Sequence, residues 1–228
     1  RKPPSSTANR NTLLREDSAF AFKEAYRAAR TNLLYLAIDD PCRKIAVTSA
    51  VPSEGKSTVA ANLAISLAMA DKRVLLIDMD MRKPVQDQLF EMKREPGLSE
   101  FLAGIDKEPA VQKTKYNGLS VLPSGRVPKN PAELLLSKRM EMLFEKLEGQ
   151  FDYILIDTPP VGVVTDATLV AKNVHGYLIA ARSGHSQSDN LQRAAEVLKD
   201  TDTQVFGVIL NGLDPKQGHG SYSRYGRY

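Results

Sequence analysis

An α/β fold, built on a mostly parallel sheet with helices on both faces, is predicted by three observations. Short runs of near-continuous Val, Ile and Leu recur at KIAVTSA (44–50), RVLLIDMD (73–80), FDYILIDTPP (151–160), VHGYLIAA (174–181) and TQVFGVILN (203–211). Strands buried on both faces read this way, because neither face meets water. Helical stretches separate most of these runs, as crossovers between parallel strands require. Finally, the segment Ala50–Ser57 (AVPSEGKS) lies between the first run and an apolar helix, and matches G-x-x-x-x-G-K-[ST] except that Ala50 replaces the first glycine.

The elements follow in order. Residues 1–15 are polar with two prolines and read as a flexible arm. A helix starts near Ser18, a candidate N-cap, and runs to about Ala37. Phe22, Ala25, Ala29 and Leu33 recur there at helical spacing, with Glu24, Arg27 and Arg30 on another side. After the strand at 44–50, residues 57–70 form an apolar helix, and the strand at 73–80 ends in Asp78 and Asp80. A looser region, 84–118, includes GLSEFLAG; residues 119–125 (LSVLPSG) read as a strand. The helix at 130–149 opens with Asn130 as cap, Pro131 at its first position and Glu133 three after the cap, the pattern of a capping box. The strand at 151–160 contains Asp157, and a helix at 188–200 precedes the last strand. No aliphatic residue follows Leu213, so residues 213–228 are expected to form a flexible tail. Three of the eight tyrosines, Tyr222, Tyr225 and Tyr228, lie in it, and the folded body spans 16–212.

Composition narrows the class. A hydrophobic share of 42% and a charged share of 25% are those of a globular protein. The net charge is +4, and its excess lies at the two ends, which reads as solvated tails rather than a nucleic-acid surface. Cys42 is the only cysteine, so no internal disulfide forms and a reducing compartment is expected. No apolar stretch approaches the roughly 20 residues of a spanning helix, and no signal peptide is apparent. The chain begins at Arg1 rather than Met, as a piece of a longer protein would.

The loop chemistry points to a nucleotide. Backbone N–H groups around Gly55 would turn toward a β-phosphate, Lys56 would lay a cation across the β- and γ-phosphates, and the Ser57 hydroxyl would reach Mg²⁺. Ser53, Glu54, Gly55, Lys56, Ser57 and Thr58 are therefore candidate ATP contacts. Asp157 ends a strand where an acid commonly holds Mg²⁺ through water. Acids are rare at the ends of such apolar strands unless a cation pairs them. Ser57, Asp78, Asp80 and Asp157 thus make a hard-oxygen set suited to Mg²⁺. Arg82 follows two residues after Asp80. Asn211, ending the last strand, is a candidate adenine contact or a turn residue before Gly212, and Arg182 also points to the ligand edge. His175, His185 and His219 are scattered and read as structural or solvated.

Together these features resemble the bacterial tyrosine kinases of capsule and exopolysaccharide production, from Phe22 to Tyr228. The resemblance rests on SAVPSEGKS, on VLLIDMDMRKP as that family's Walker A′ motif, on ILIDTPP as Walker B, and on the terminal tyrosine cluster. It rests also on Glu24-Ala25-Tyr26-Arg27-Ala28-Ala29-Arg30, which fits the family's E-x-x-R-x-x-R helix. Min/Par-type partitioning ATPases carry a lysine at the second loop position, where this chain has Val51, so the alternative of an ATPase assembly switch without a protein substrate fits less well.

The resemblance implies a P-loop NTPase that transfers the γ-phosphate of ATP, with Mg²⁺, to protein tyrosines. It implies autophosphorylation of Tyr222, Tyr225 and Tyr228 in trans, phosphorylation of other proteins, and Lys56, Asp78, Asp80 and Asp157 as catalytic residues with Asp78 the leading base. It implies further that Glu24, Arg27 and Arg30 lie at the interface of a homo-oligomeric ring, the octamer being the size suggested. The expected activator is a membrane-anchored protein of the polysaccharide co-polymerase type, which would hold the kinase in the cytoplasm at the inner face of the cell membrane.

Overall fold

The computed structural model describes residues 13–36 and 39–213. Helix α1 (Phe20–Leu34) leads to β1 (Arg43–Ser49), then α2 (Lys56–Ala68) and β2 (Val74–Asp78). The short helices α3 (Gln86–Leu89) and α4 (Leu98–Leu102) precede β3 (Gln112–Lys113) and β4 (Leu119–Leu122). Helices α5 (Pro131–Leu135) and α6 (Lys138–Leu147) lead to β5 (Tyr153–Asp157). Finally come α7 (Asp166–Leu169), β6 (Gly176–Arg182), α8 (Ser188–Lys199) and β7 (Gln204–Asn211).

Among the described residues the strands form one sheet in the order β3-β4-β2-β5-β1-β6-β7. All neighbours are parallel except the antiparallel pair β3–β4. Alternate residues of each strand feed two cores. Ile45, Val47, Leu76 and Leu155 pack with Val59, Leu63 and Leu67 of α2. Ala46, Leu75, Ile77, Ile154 and Ile156 pack on the other face with Phe101, Leu143 and Leu198. Covering both faces explains why every residue of β2 and β5 is buried and why their sequences show no polar alternation.

Several local expectations are corrected. The single helix read at 130–149 is two helices, broken at Ser137, whose backbone is extended (φ −71°, ψ 152°). The Ser137 hydroxyl donates to the Leu134 carbonyl at 2.7 Å, the competition with the helix ladder that serine favours. The new direction lets Arg139 donate to the carbonyls of Phe101 (2.5 Å) and Asp106 (2.7 Å). Asn130 forms no capping box; its amide bonds the Glu133 carboxylate at 2.9 Å. Nor does Ser18 cap α1: the helix begins after Ala19, and the Ser18 hydroxyl accepts the Arg15 N–H. That helix ends at Leu34, short of Ala37. The strand read at 119–125 stops at Leu122, and β3, polar and two residues long, had no apolar run to announce it.

The packed chain also takes in Leu13 and Leu14, ahead of the boundary read at residue 15. Both are buried against α1 and α2. The Leu14 N–H donates to Asn62 Oδ1 at 2.6 Å, and Asn62 Nδ2 lies 3.4 Å from the Tyr26 hydroxyl. Asn62 is fully buried, so removing it strands both partners away from water. Asn62→Ala is expected to cost about 1–3 kcal/mol, read from the urea midpoint at constant m-value; an unchanged midpoint would show that this strap adds nothing.

Candidate active site

The site is built at the carboxyl ends of β1, β2 and β5. Strand β1 hands the chain to the phosphate loop, where Gly55 is left-handed (φ +86°). The left-handed φ favours glycine, and a Cβ at that position would lie 2.2 Å from Asn211 Nδ2, so the Asn211 amide would have to move. Asn211 thus sits against the loop from the end of β7, with its Oδ1 accepting the Gly212 N–H at 2.8 Å. Glu54 is almost fully buried and faces inward; its carboxylate accepts the Val51 N–H at 2.9 Å and the Ser186 hydroxyl. Ser186 Oγ in turn accepts the Arg182 N–H at 2.7 Å, and the Arg182 guanidinium donates to the Ser53 carbonyl at 3.3 Å. The turn between β6 and α8 therefore braces the loop, and Glu54 is the buried link.

At the start of α2 the Lys56 ammonium is 2.7 Å from Asp80 Oδ2, 3.3 Å from Asp157 Oδ1 and 3.1 Å from Ser57 Oγ. Burial alone would lower its pKa, but the carboxylates of Asp157 and Asp80 outweigh burial and raise it. Sheet register pairs Asp78 with Asp157 on adjacent strands. Burial, and then the Asp157 charge beside it, push the Asp78 carboxyl up to about 8, against the pull of the Gln86 N–H and Lys56. Asp78 Oδ2 accepts the N–H groups of Val85 (3.1 Å) and Gln86 (2.9 Å), while its buried Oδ1 has no hydrogen-bond partner among the described residues.

Gln86 closes the cluster from the other side. Its amide donates to Asp157 Oδ2 at 2.8 Å and to the Ser57 carbonyl at 3.1 Å. Arg82 makes a two-point ion pair with the buried Asp166 (2.8 and 2.9 Å), which orients the guanidinium at the rim. These side chains border a cleft of about 360 Å³, lined by Ser53, Gly55, Lys56, Ser57, Thr58, Asp80 and Arg82 among others. Asp78, Asp157, Glu54 and Asn211 are not among the residues that line it. Sequence reasoning missed Gln86, Asp166 and Ser186: each is an ordinary helix or turn residue whose role comes only from tertiary contact.

Among the described residues, no three His, Cys, Asp or Glu side chains converge as an all-protein metal cage. On α1, Glu24 and Arg27 pair at 2.6 Å, whereas Arg30 turns inward and donates to the Ser66 carbonyl of α2 at 2.8 Å. Tyr222, Tyr225, Tyr228 and His219 lie outside the described residues. Cys42 is buried, and burial raises its thiol to about 11, in keeping with an inert thiol. His175 is structural: Nδ1 accepts the Lys44 N–H at 2.9 Å and Nε2 lies 3.2 Å from Asp40. No helix among the described residues is long and apolar enough to cross a membrane.

A strand, phosphate loop and helix beside two acidic strand ends define a nucleotide-binding domain of the P-loop NTPase class. The AAA domain family profile matches residues 42–203. The tyrosine-protein kinase YwqD of Bacillus subtilis is 37% identical over 227 residues, 99% of this chain and 95% of that one. The kinase domain of the Escherichia coli tyrosine kinase ETK superposes with a TM-score of 0.81 at 35% identity, over 87% of this chain and 78% of that structure. This chain spans 29% of full-length E. coli Etk. The septum site-determining protein MinD of Pyrococcus horikoshii, at 24% identity and a TM-score of 0.64, shares the fold. The chain belongs to the bacterial tyrosine kinases.

The raised Asp78 pKa has a testable sign. A carboxyl held above its unfolded value near 3.9 favours the folded state at low pH, and that contribution is lost as pH rises toward about 8. Asp78→Asn keeps an acceptor for Val85 and Gln86 and cannot ionise. In nucleotide-free, metal-free buffer the variant is expected to match wild type near pH 5 and to exceed it by on the order of 1–3 kcal/mol near pH 8.5. Parallel stability–pH curves for the two proteins would refute the assignment.

Proposed function

We propose that this chain transfers the γ-phosphate of ATP to the tyrosines Tyr222, Tyr225 and Tyr228 of another copy and to tyrosines of other proteins, and so regulates capsular or extracellular polysaccharide synthesis. The observation that carries the proposal is the buried Lys56 ammonium held by Asp80 and Asp157 at the phosphate loop, in a chain whose relatives are tyrosine kinases. The donor set also fits Mg²⁺: Ser57 Oγ and the carboxylates of Asp78, Asp80 and Asp157 are hard oxygens, and the buried Asp78 Oδ1 has no hydrogen-bond partner among the described residues. When bound, Mg²⁺ would supply positive charge that offsets the charge developing on the phosphates.

The chain's own residues divide the remaining work. Backbone N–H groups at Gly55 and the N-terminus of α2 hold phosphate, with Ser53, Thr58 and Arg82 along the cleft and Asn211 toward the base. Lys56 neutralises the transferring group, for which it must leave one of its carboxylate partners. The acceptor phenol, with an ordinary pKa near 10, must lose its proton as it attacks phosphorus. Asp78, ionised once Mg²⁺ and nucleotide are bound, takes that proton, directly or through water. Asp80 orients the phenol or the metal.

Assembly supplies the acceptor. From Asn211 to Tyr222 the chain can extend roughly 36–40 Å, and a ring built on Glu24, Arg27 and Arg30 would bring a neighbour's tail within reach. A membrane-anchored activator, fused or separate, would place the kinase at the inner face of the membrane.

Intact mass after incubation with Mg-ATP tests the reading. Wild type is expected to gain phosphate, Lys56→Met and Asp78→Ala to gain none, and loss of all three tail tyrosines to remove most labelling. A Lys56→Met chain mixed with wild type should become labelled, and less so when the added wild type carries Arg27→Glu. ATP consumed with no phosphate on any chain would instead support an ATPase switch.

A further inference from the structure

Gln86 touches three parts of the site at once. Its backbone N–H, at the start of α3, donates to Asp78 Oδ2 at 2.9 Å. Its side-chain amide donates to Asp157 Oδ2 at 2.8 Å and to the Ser57 carbonyl at 3.1 Å. The ends of β2 and β5 and the first turn of α2 are thereby tied by a single residue. Gln86 is fully buried and is not among the residues that line the cleft. It can therefore act on a bound ligand only through its neighbours.

Residue type decides what those contacts can do. Asp157 Oδ2 and the Ser57 carbonyl are both acceptors, so the group between them needs two hydrogens, and a hydroxyl brings only one. An ammonium or guanidinium brings enough, but its positive charge would offset the Asp157 carboxylate before any metal arrived. A neutral amide supplies two hydrogens and no charge, and the two acceptors fix its nitrogen toward them. One oxygen of Asp157 is then pinned, while the other, Oδ1, lies 3.3 Å from the Lys56 ammonium. Core packing does not call for this amide. Its Oε1 is buried with no hydrogen-bond partner among the described residues, and a methionine fills such a space with no amide to bury.

From these contacts we infer that Gln86 is a positioning residue for Mg²⁺: it fixes the Asp157 carboxylate against the start of α2, so that Asp157 and Ser57 keep the relative placement a metal needs. The inference rests on the proposed roles of Asp157 and Ser57 toward Mg²⁺, and it holds whether phosphate passes to tyrosine or to water. Groups that hold a metal's ligands in place set its affinity nearly as strongly as the ligands do. Phosphate is held by the loop N–H groups and by Lys56. Losing the Gln86 amide should therefore remove what the metal contributes and leave metal-free nucleotide affinity in place.

Titration calorimetry of the full chain with ADP, in Mg²⁺ and in EDTA, tests this. Wild type is expected to bind ADP more tightly with Mg²⁺. Gln86→Met is expected to lose about tenfold of that tightening, with affinity in EDTA changed less than about twofold. Gln86→Asn keeps the amide but draws it back from Asp157, and carries the same expectation should the Met variant not fold; urea midpoints check the fold of each. In an Asp157→Asn background, Gln86→Met should add less than about a twofold loss, because its route to the metal is already cut. Losses that multiply in the double variant, equal losses with and without Mg²⁺, or full tightening in a folded Gln86 variant would each overturn the inference. So would a wild type that Mg²⁺ does not tighten, which removes the metal reading as well. A wild type that gains no phosphate from Mg-ATP, while Gln86→Met loses the tightening, would refute the kinase reading and support the role of Gln86.

Discussion

The Lys56 ammonium, buried between Asp80 and Asp157, is the interaction on which the rest of the site depends. Three carboxyl groups and one lysine crowd together, Asp78 and Asp157 fully buried and Lys56 and Asp80 on the cleft lining, and burying charge is costly unless it is matched. One cation cannot match three anions, and burial beside Asp157 pushes the Asp78 carboxyl upward, toward its neutral form. Adjacent parallel strands lie about 4.8 Å apart, so the pairing of Asp78 with Asp157 leaves little room for two negative charges. The cluster is a charge imbalance that a bound cation would relieve, which suits a nucleotide-binding domain of the P-loop class.

The remainder of the fold fixes that imbalance in place. Two cores, one on each face, bury β2 and β5 so completely that their terminal acids cannot turn to solvent. Gln86 ties Asp157 to the Ser57 carbonyl, while the buried Glu54 ties the loop to the turn after β6. Gly55 and Gly162 lie where a Cβ would crowd the Asn211 side chain and the Ala50 carbonyl. Each device spends a polar or strained group on positioning, the usual sign that a site rather than the core is being served.

What was legible in the sequence follows from the range of the forces involved. Apolar strand runs, the phosphate loop and the acids at strand ends are local patterns, and the parallel sheet and the Lys56–Asp80–Asp157 group were readable from them. Helix ends were less so: Ser137 breaks a strong helical pattern because its hydroxyl and the contacts of Arg139 outweigh local propensity. Leu13 and Leu14 sit in a polar segment, and their burial comes from packing on α1 and α2 and from Asn62, far along the chain, accepting the Leu14 N–H. Gln86 and Asp166 illustrate the same limit within the site, since neither residue type nor spacing marks them out. The identity of Asp78 as the member of the cluster pushed toward its neutral form needed the register of β2 against β5.

Proton release on nucleotide binding tests the central claim most directly. Mg-ADP binding would be followed by titration calorimetry near pH 7 in buffers of different ionisation enthalpy, for wild type and Asp78→Asn. If Asp78 holds a proton until metal and nucleotide arrive, wild type releases close to one proton more than the variant. Equal proton counts in the two proteins would contradict the account.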